Sequence, residues 1–167
     1  AIQNVINIEQ DDKILAYINV INLTDADYIN NNYIILCTKK GIIKKTSLEA
    51  YSRPRQNGVN AITIREDDHL LEAKMTNGNH HIMMAVRSGK AVRFEDGSVR
   101  PIGRTASGVR GITLGHEGDE VVGMVCVENE NEDILVKVLS EVSDGYYRSK
   151  NRETATLSID INPVNML

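Results

Sequence analysis

An internal repeat constrains the fold of this chain more than any other feature. Residues 33–46 and 82–94 each contain an apolar run, a turn with basic residues and a glycine, and a second run that mixes apolar and basic residues. The turn glycines, Gly41 and Gly89, lie 48 residues apart. A period of roughly 20 to 50 residues is typical of proteins built from successive copies of one structural unit. We therefore expect a repeat architecture.

Each repeat continues into a basic loop. The first basic loop, residues 51–64, and the second basic loop, residues 99–114, both contain a proline among basic residues, then a Gly-Val pair, and end in Ile-Thr-Ile or Ile-Thr-Leu. The glycines of these pairs, Gly58 and Gly108, are expected to adopt positive φ in a turn, because glycine has no Cβ to clash there. An acidic stretch follows each loop, and we interpret it as a solvated turn between strands.

The local patterns predict short β-strands and almost no helix. Apolar runs joined by Lys-Gly, Asn-Gly or Ser-Gly pairs are typical of β-hairpins, and no window has a helical period except for a turn at 47–51. Four antiparallel strands that recur at this spacing favour propeller-type blades. The predicted strands are 33–38, 42–46, 61–64 and 70–75 in the first repeat and 81–86, 91–94, 111–114 and 120–127 in the second.

The repeats divide the chain into units of one partial domain. Residues 1–20 match the back half of a blade, residues 33–79 and 80–130 are each predicted to form a full blade, and residues 131–167 are predicted to start a further blade and end in an atypical tail. Residues 20–32 are interpreted as an inserted loop. The sequence does not begin with an initiator Met, and its first residues have the pattern of the middle of a strand. We therefore expect a fragment of a longer protein.

Three segments together resemble a known family. Residues 37–46, 49–62 and 103–112 are similar to the C-terminal domain of the A subunit of DNA gyrase and, more loosely, to its topoisomerase IV counterpart. The resemblance implies an all-β, propeller-like β-pinwheel of four-stranded antiparallel blades that exchange strands, of which this chain would supply about two and a half. It also implies that a basic outer edge binds and bends duplex DNA, in support of ATP-dependent supercoiling by the whole enzyme. The Gln-Arg-Arg-Gly-Gly-Lys-Gly box that marks gyrase domains is absent from this sequence.

The distribution of charge suits a polyanionic partner. The net charge of the chain is -4, yet residues 33–115 contain 14 Lys and Arg against seven Asp and Glu. Basic side chains neutralise phosphates and release counterions, which supplies most sequence-independent affinity for DNA. The candidate DNA-binding residues lie in the basic loops or on the second strand of each repeat: Lys44, Lys45, Arg53, Arg55, Arg93, Arg100, Arg104 and Arg110.

Motifs for catalysis, metal binding and nucleotide binding are missing from the sequence. The four histidines form no His-x-x-x-His pair, no Gly-x-x-x-x-Gly-Lys loop occurs, and no tyrosine lies in the DNA-cleavage motif of type II topoisomerases. We therefore predict a non-catalytic, cytoplasmic fragment without a metal or cofactor of its own. The resemblance assigns ATP, Mg²⁺, the B subunit of gyrase and its second A subunit to other parts of the parent enzyme, and it implies no membrane contact.

Other functions fit the same residues. The fragment could belong to a topoisomerase IV A subunit, or it could be a protein-interaction propeller with a solvated basic rim. Affinity for duplex DNA that collapses with salt would separate DNA binding from protein interaction. An enzyme with a pocket in the propeller is disfavoured, because the sequence shows no acid–base or metal constellation.

Overall fold

The computed structural model describes residues 13–55 and 58–128 and the backbone of 160–163. Predictions for residues 1–12 and for most of 131–167 therefore lie outside the described residues. The described elements are α1 Ala26–Asn31, β1 Tyr33–Thr38, β2 Ile42–Ser47, β3 Leu70–Thr76, β4 His81–Val86, β5 Lys90–Glu95, β6 Val109–Arg110, β7 Val121–Val127 and β8 Asp160–Pro163, with 3₁₀ turns at Leu48–Tyr51 and Asp96–Ser98.

The strands form two four-stranded sheets, one for each repeat. The strand order is β3-β1-β2-β6 in the first sheet and β7-β4-β5-β8 in the second. Every pair is antiparallel except β5–β8, which is parallel. The sheets lie side by side with β3 against β7. This arrangement confirms the predicted all-β architecture of repeated four-stranded sheets.

The outer strand of the first sheet comes from the second repeat. Strand β6 pairs with β2 through Ile42–Arg110 and Ile43–Val109, and the amide of Gly111 donates to the carbonyl of Gly41 over 2.8 Å. The exchange of strands implied by the resemblance is therefore present. It also corrects one predicted strand, because the regular pairing of the second basic loop covers Val109–Arg110 and does not begin at Gly111.

The predicted strand at 61–64 is wrong. These residues are not in a regular strand, although Ile62 and Ile64 are partly buried and Thr63 is exposed, as an alternating pattern requires. The physical reason is that β6 already occupies the free edge of β2. The amide of Thr63 instead donates to the carbonyl of Ala106 in the second basic loop, at 3.3 Å.

One apolar layer is buried between the sheets. Ile35 and Ile43 of the first sheet pack with Ile82, Met84 and Met124 of the second, and all five are fully buried. Burial of an aliphatic side chain of this size contributes about 1.5–3 kcal/mol. Strands β1 and β4 are near-continuous apolar runs, and the residues that they turn toward this layer hold the two sheets together.

The acidic stretches that follow the basic loops hold the hairpin turns in place. Asp68 Oδ1 accepts hydrogen bonds from the amides of Lys40 (2.9 Å) and His69 (2.8 Å). In the second repeat, Asp119 Oδ1 accepts hydrogen bonds from the amides of Ser88 and Glu120, both at 3.1 Å. Asp68 is buried, so the interpretation of this stretch as a merely solvated turn is wrong for that residue.

A short helix lies where the sequence predicted only an inserted loop. Helix α1 begins after Asp25, whose carboxylate accepts from the amides of Asp27 (3.0 Å) and Tyr28 (3.3 Å). Such a cap satisfies amides at the helix start that have no partner within the helix. The helix is too short to produce the apolar period that sequence analysis relies on. The predicted turn at 47–51 is confirmed as the 3₁₀ turn Leu48–Tyr51.

Candidate nucleic-acid interface

The two basic loops lie next to each other at the β6 edge of the first sheet. Thr63 Oγ1 donates to the carbonyl of Thr105 at 2.6 Å, beside the hydrogen bond between Thr63 and Ala106. The second loop is fixed to the sheet where the amide of Ile102 donates to the carbonyl of Lys45 at 2.9 Å. The fold thus brings two stretches, which lie about 50 residues apart in sequence, to one edge.

The arginines of these loops are available to a ligand. Arg53, Arg55, Arg100 and Arg110 are exposed, and Arg104 is half-buried. No carboxylate in the described part of the chain forms an ion pair with any of the five. An unpaired, solvated guanidinium can fork onto two phosphate oxygens without first breaking an internal contact.

Three of the four cations at the hairpin turns differ, because acids already neutralise them; the fourth, Lys90, is exposed and has no ion pair in the described residues. Lys39 Nζ lies 3.5 Å from a carboxylate oxygen of Glu120, and Arg87 pairs with the same carboxylate. Lys40 pairs with Asp67. On strand β3, Lys74 Nζ lies 3.8 Å from a carboxylate oxygen of Glu72. Among the described residues, most cations without an acidic partner therefore lie in the basic loops, and Lys13, Arg65 and Lys90 are exceptions outside them.

Lys44 does not fit its predicted role as a phosphate contact. Its side chain is completely buried, and its Nζ donates to the carbonyl of Ala61 at 2.6 Å and to the carbonyl of Arg104. Burial, followed by the positive charge of Arg104, lowers the pKa of Lys44 to about 8. A lysine on a strand beside other lysines looks exposed in sequence. Only the loops that cover β2 make it internal.

Lys45 is also internal, and this position corrects the prediction that it binds DNA. Its ammonium forms an ion pair with Asp96 and lies 4.4 Å from the centroid of the Tyr33 ring. Lys45 is 4% exposed and Asp96 0% exposed, and Thr76 Oγ1 donates to the second carboxylate oxygen of Asp96. The group links β2 of the first repeat to the 3₁₀ turn of the second. Sequence reasoning missed Asp96, although it follows β5 directly, because a carboxylate in a turn normally faces water.

Arg93 is the third predicted residue whose position does not suit phosphate binding. It occupies the place on β5 that Lys45 occupies on β2, 48 residues earlier. Its Nε and Nη2 atoms are buried, and neither has a hydrogen-bond partner in the part of the chain that the structure describes. The structure therefore separates the eight predicted residues into two groups, with Lys44, Lys45 and Arg93 turned inward and the five loop arginines at the surface.

Two further observations concern sites of other kinds. Within residues 13–55 and 58–128, no three His, Cys, Asp or Glu side chains come together as a metal site would require. Among the helices that the structure describes, none is long and apolar enough to cross a membrane.

Comparison with known families fits this geometry. The family model described as the DNA gyrase C-terminal domain, a β-propeller, matches residues 32–77 and 80–128. These two matched segments each contain three strands of one sheet and together cover more than half of the chain. The chain belongs to the DNA gyrase C-terminal domain family. The boundaries of its matched segments also follow the two repeats seen in the sequence.

Curated relatives extend the match to most of the chain. It is 38% identical over 168 residues to the A subunit of DNA gyrase from Staphylococcus epidermidis and 37% identical over 169 residues to that from Staphylococcus aureus. Each alignment covers 93% of this chain and 18% of the relative. The chain therefore spans about a fifth of the length of these relatives.

Solved structures of both branches of the family are similar to this fold. The C-terminal domain of a DNA topoisomerase IV superposes with a TM-score of 0.67 at 27% identity, over 78% of this chain and 39% of that one. A DNA gyrase A C-terminal domain gives a TM-score of 0.62 at 26% identity, over 75% and 39% of the two chains. The chain is thus part of a C-terminal domain of the gyrase and topoisomerase IV type.

Proposed function

We propose that the two basic loops bind the phosphate backbone of duplex DNA without reading its sequence, and that they help to bend it. The observation that carries the proposal is the separation of charge: the five loop arginines have no acidic partner in the described residues, whereas Lys39, Lys40 and Arg87 at the hairpin turns are paired. Backbone contacts of this kind position a duplex and depend on charge, not on base edges.

The parent protein would be the A subunit of a DNA gyrase. The identity of 37–38% to gyrase A subunits supports this reading. In that setting the loops support ATP-dependent supercoiling by the whole enzyme. The proposal assigns no cofactor to these residues, and it assigns ATP, Mg²⁺, the B subunit of gyrase and its second A subunit to parts outside this chain.

A topoisomerase IV parent is the second candidate, because the superposition with a topoisomerase IV C-terminal domain has a TM-score of 0.67. The two candidates share the DNA-binding loops and differ in what the complete enzyme does. Grafting residues 13–128 into a gyrase in place of the matching blades separates them. If the chimeric enzyme still supercoils DNA, the gyrase origin is supported. If it loses supercoiling but still relaxes DNA, the topoisomerase IV origin is supported.

The test of DNA binding is the affinity for duplex DNA as a function of salt concentration. Each neutralised phosphate contributes a slope of about -0.9 in a log–log plot. Replacing Arg53, Arg55, Arg104 and Arg110 with Gln should weaken binding at least tenfold and reduce the slope by about three to four.

A charge-matched control is available in the same chain. Replacing Lys39, Lys40, Lys74 and Arg87 with Gln removes the same number of charges from paired positions, and binding should stay within about threefold of the original. Equal losses in both variants would show that only net charge matters, and would overturn the assignment of the loops. Absence of any salt-dependent binding by the unaltered chain would favour the protein-interaction alternative.

A further inference from the structure

Lys44 contacts both basic loops through their backbones. Its Nζ donates to the carbonyl of Ala61 in the first loop, at 2.6 Å, and to the carbonyl of Arg104 in the second. The direct hydrogen bonds from Thr63 to Thr105 and Ala106 lie close by along both loops. The junction between the loops is therefore built from one lysine and a short stretch of backbone pairing.

The surroundings of Lys44 show that it is not a chance surface contact. The side chain is fully buried, and an ammonium group that leaves water loses solvation that only strong acceptors offset. The nearby charge of Arg104 adds repulsion, and both effects lower the pKa of Lys44. An apolar residue at this position would avoid these costs, so the two carbonyl contacts are the structural reason for a lysine here.

The second repeat provides an internal comparison. The position equivalent to Lys44, 48 residues later, is Val92, which is buried and has no side-chain group that could donate a hydrogen bond. The described residues therefore contain this contact only at the junction between the first and second repeats. It is not a general requirement of the strand.

The contact bears directly on the placement of the arginines. Arg104 itself supplies one of the two acceptors. The other acceptor, Ala61, also receives a hydrogen bond from Tyr51 Oη at 3.4 Å, which closes the loop that carries Arg53 and Arg55. Fixing both carbonyls to one ammonium limits how far the two sets of arginines can move apart.

We propose that Lys44 is a positioning residue that clamps the two basic loops into a single DNA-binding surface without touching the DNA. The inference rests on the proposed function. Its physical basis is preorganisation, because loops that are already ordered lose less conformational entropy when they bind. Lys44 then acts on affinity through Arg104 and the first loop, and its own charge is not part of the contact.

The experiment replaces Lys44 with Met, which keeps the length and volume of the side chain and removes the donor, in the 167-residue chain. Amide hydrogen exchange should accelerate at least tenfold at Thr63, whose amide reports the contact between the loops. Exchange at Gly111, whose amide bonds to Gly41 across the exchanged strand, should change less than threefold. Affinity for duplex DNA at low salt should fall about tenfold.

Two further variants distinguish the clamp from the loss of one positive charge and from misfolding of the Lys44 variant. Lys40→Met removes one exposed charge that is paired with Asp67, and it should leave both the affinity and the Thr63 amide within about twofold of the original. Thr63→Val removes an exposed hydroxyl that bonds to Thr105. It keeps Lys44 and the core, so it tests the same junction even if Lys44→Met does not fold, and it should weaken DNA binding two- to fivefold.

The outcomes are distinguishable. Faster exchange at Thr63 together with weaker DNA binding supports the clamp. Unchanged DNA binding in both Lys44→Met and Thr63→Val, while the four-arginine variant loses binding, overturns the clamp and leaves the proposed function in place. If the unaltered chain shows no salt-dependent DNA binding, the proposed function fails. In that case unchanged exchange at Thr63 overturns the clamp as well.

Discussion

The two repeats share one backbone plan but bury different groups at equivalent positions. On the second strand, Lys44 and Lys45 of the first repeat correspond to Val92 and Arg93 of the second. Both lysines have partners in the second repeat, the carbonyl of Arg104 and the carboxylate of Asp96, whereas the buried Nε and Nη2 atoms of Arg93 have none among the described residues. The difference teaches that polar groups on the second strand of the first repeat are satisfied partly by the repeat that follows it in the chain, so the contacts that fix Lys44 and Lys45 lie at the junction between the repeats.

The largest expected difference in stability is between variants of Lys45 and Arg93, the cations at equivalent positions of the two repeats. Lys45→Met leaves the fully buried carboxylate of Asp96 without its ion-pair partner, which should lower the free energy of unfolding by about 3–5 kcal/mol. Arg93→Met removes two buried nitrogens that have no hydrogen bond among the described residues, and the change in the free energy of unfolding should stay within about 1 kcal/mol. Urea unfolding followed by circular dichroism measures both. Equal losses would mean that Arg93 is as firmly paired as Lys45.

The next largest difference in stability is expected between alanine substitutions of Gly58 and Gly108, the glycines of the Gly-Val pairs. Both have positive φ, 72° at Gly58 and 95° at Gly108. A Cβ at Gly108 would lie 2.6 Å from the carbonyl oxygen of Ile43, whereas no atom of the described residues lies within 4 Å of one at Gly58. Gly108→Ala should therefore cost about 2–4 kcal/mol and Gly58→Ala about 1 kcal/mol. Thermal unfolding tests this, and similar losses would assign the cost to φ alone.

The lowered pKa of Lys44 should make the free energy of unfolding depend on pH. Its pKa is about 8 in the folded chain and near 10.5 in the unfolded chain. Between these values the unfolded chain binds more protons, so the free energy of unfolding should rise with pH, by about 1–3 kcal/mol in total. Urea titrations from pH 7.5 to 10.5 measure the rise. In Lys44→Met this position carries no charge, as at Val92 in the second repeat, so the rise should disappear. If the rise persists in this variant, another titrating group causes it.

The smallest difference in stability is expected between alanine substitutions of Asp68 and Asp119, the aspartates that bond to the hairpin turns. Asp68 is buried and bonds to the amides of Lys40 and His69, so Asp68→Ala should cost about 1–2 kcal/mol because those amides lose their acceptor. Asp119 is less buried, and water can replace it at the amides of Ser88 and Glu120, so Asp119→Ala should cost about 0.5–1 kcal/mol. The same urea titrations serve as the measurement. A larger loss at Asp119 would reverse this ranking.

Local features of the fold could be predicted from the sequence. The hairpins at Gly41 and Gly89, the positive φ of Gly58 and Gly108 and the 3₁₀ turn at Leu48–Tyr51 all depend on neighbouring residues and backbone sterics. The strands that begin at Tyr33 and His81 were predicted with the bounds that the structure shows. For the candidate interface, the structure shows Arg53, Arg55, Arg100 and Arg110 exposed and Arg104 half-buried, and their contact with DNA stays a prediction.

The sequence by itself thus determined the repeat, the hairpins and the loops that carry positive charge, because each follows from residues close together in the chain. Only the tertiary structure decided which residues of the second strand face water. Lysines on a strand look solvated until a segment from the next repeat covers them. The second basic loop does so at Arg104 for Lys44, and the 3₁₀ turn at Asp96 does so for Lys45. Asp96, 51 residues beyond Lys45, gained its partner through the same packing of one repeat on the next. Contacts between repeats leave no local pattern, and for that reason they appear only in the folded chain.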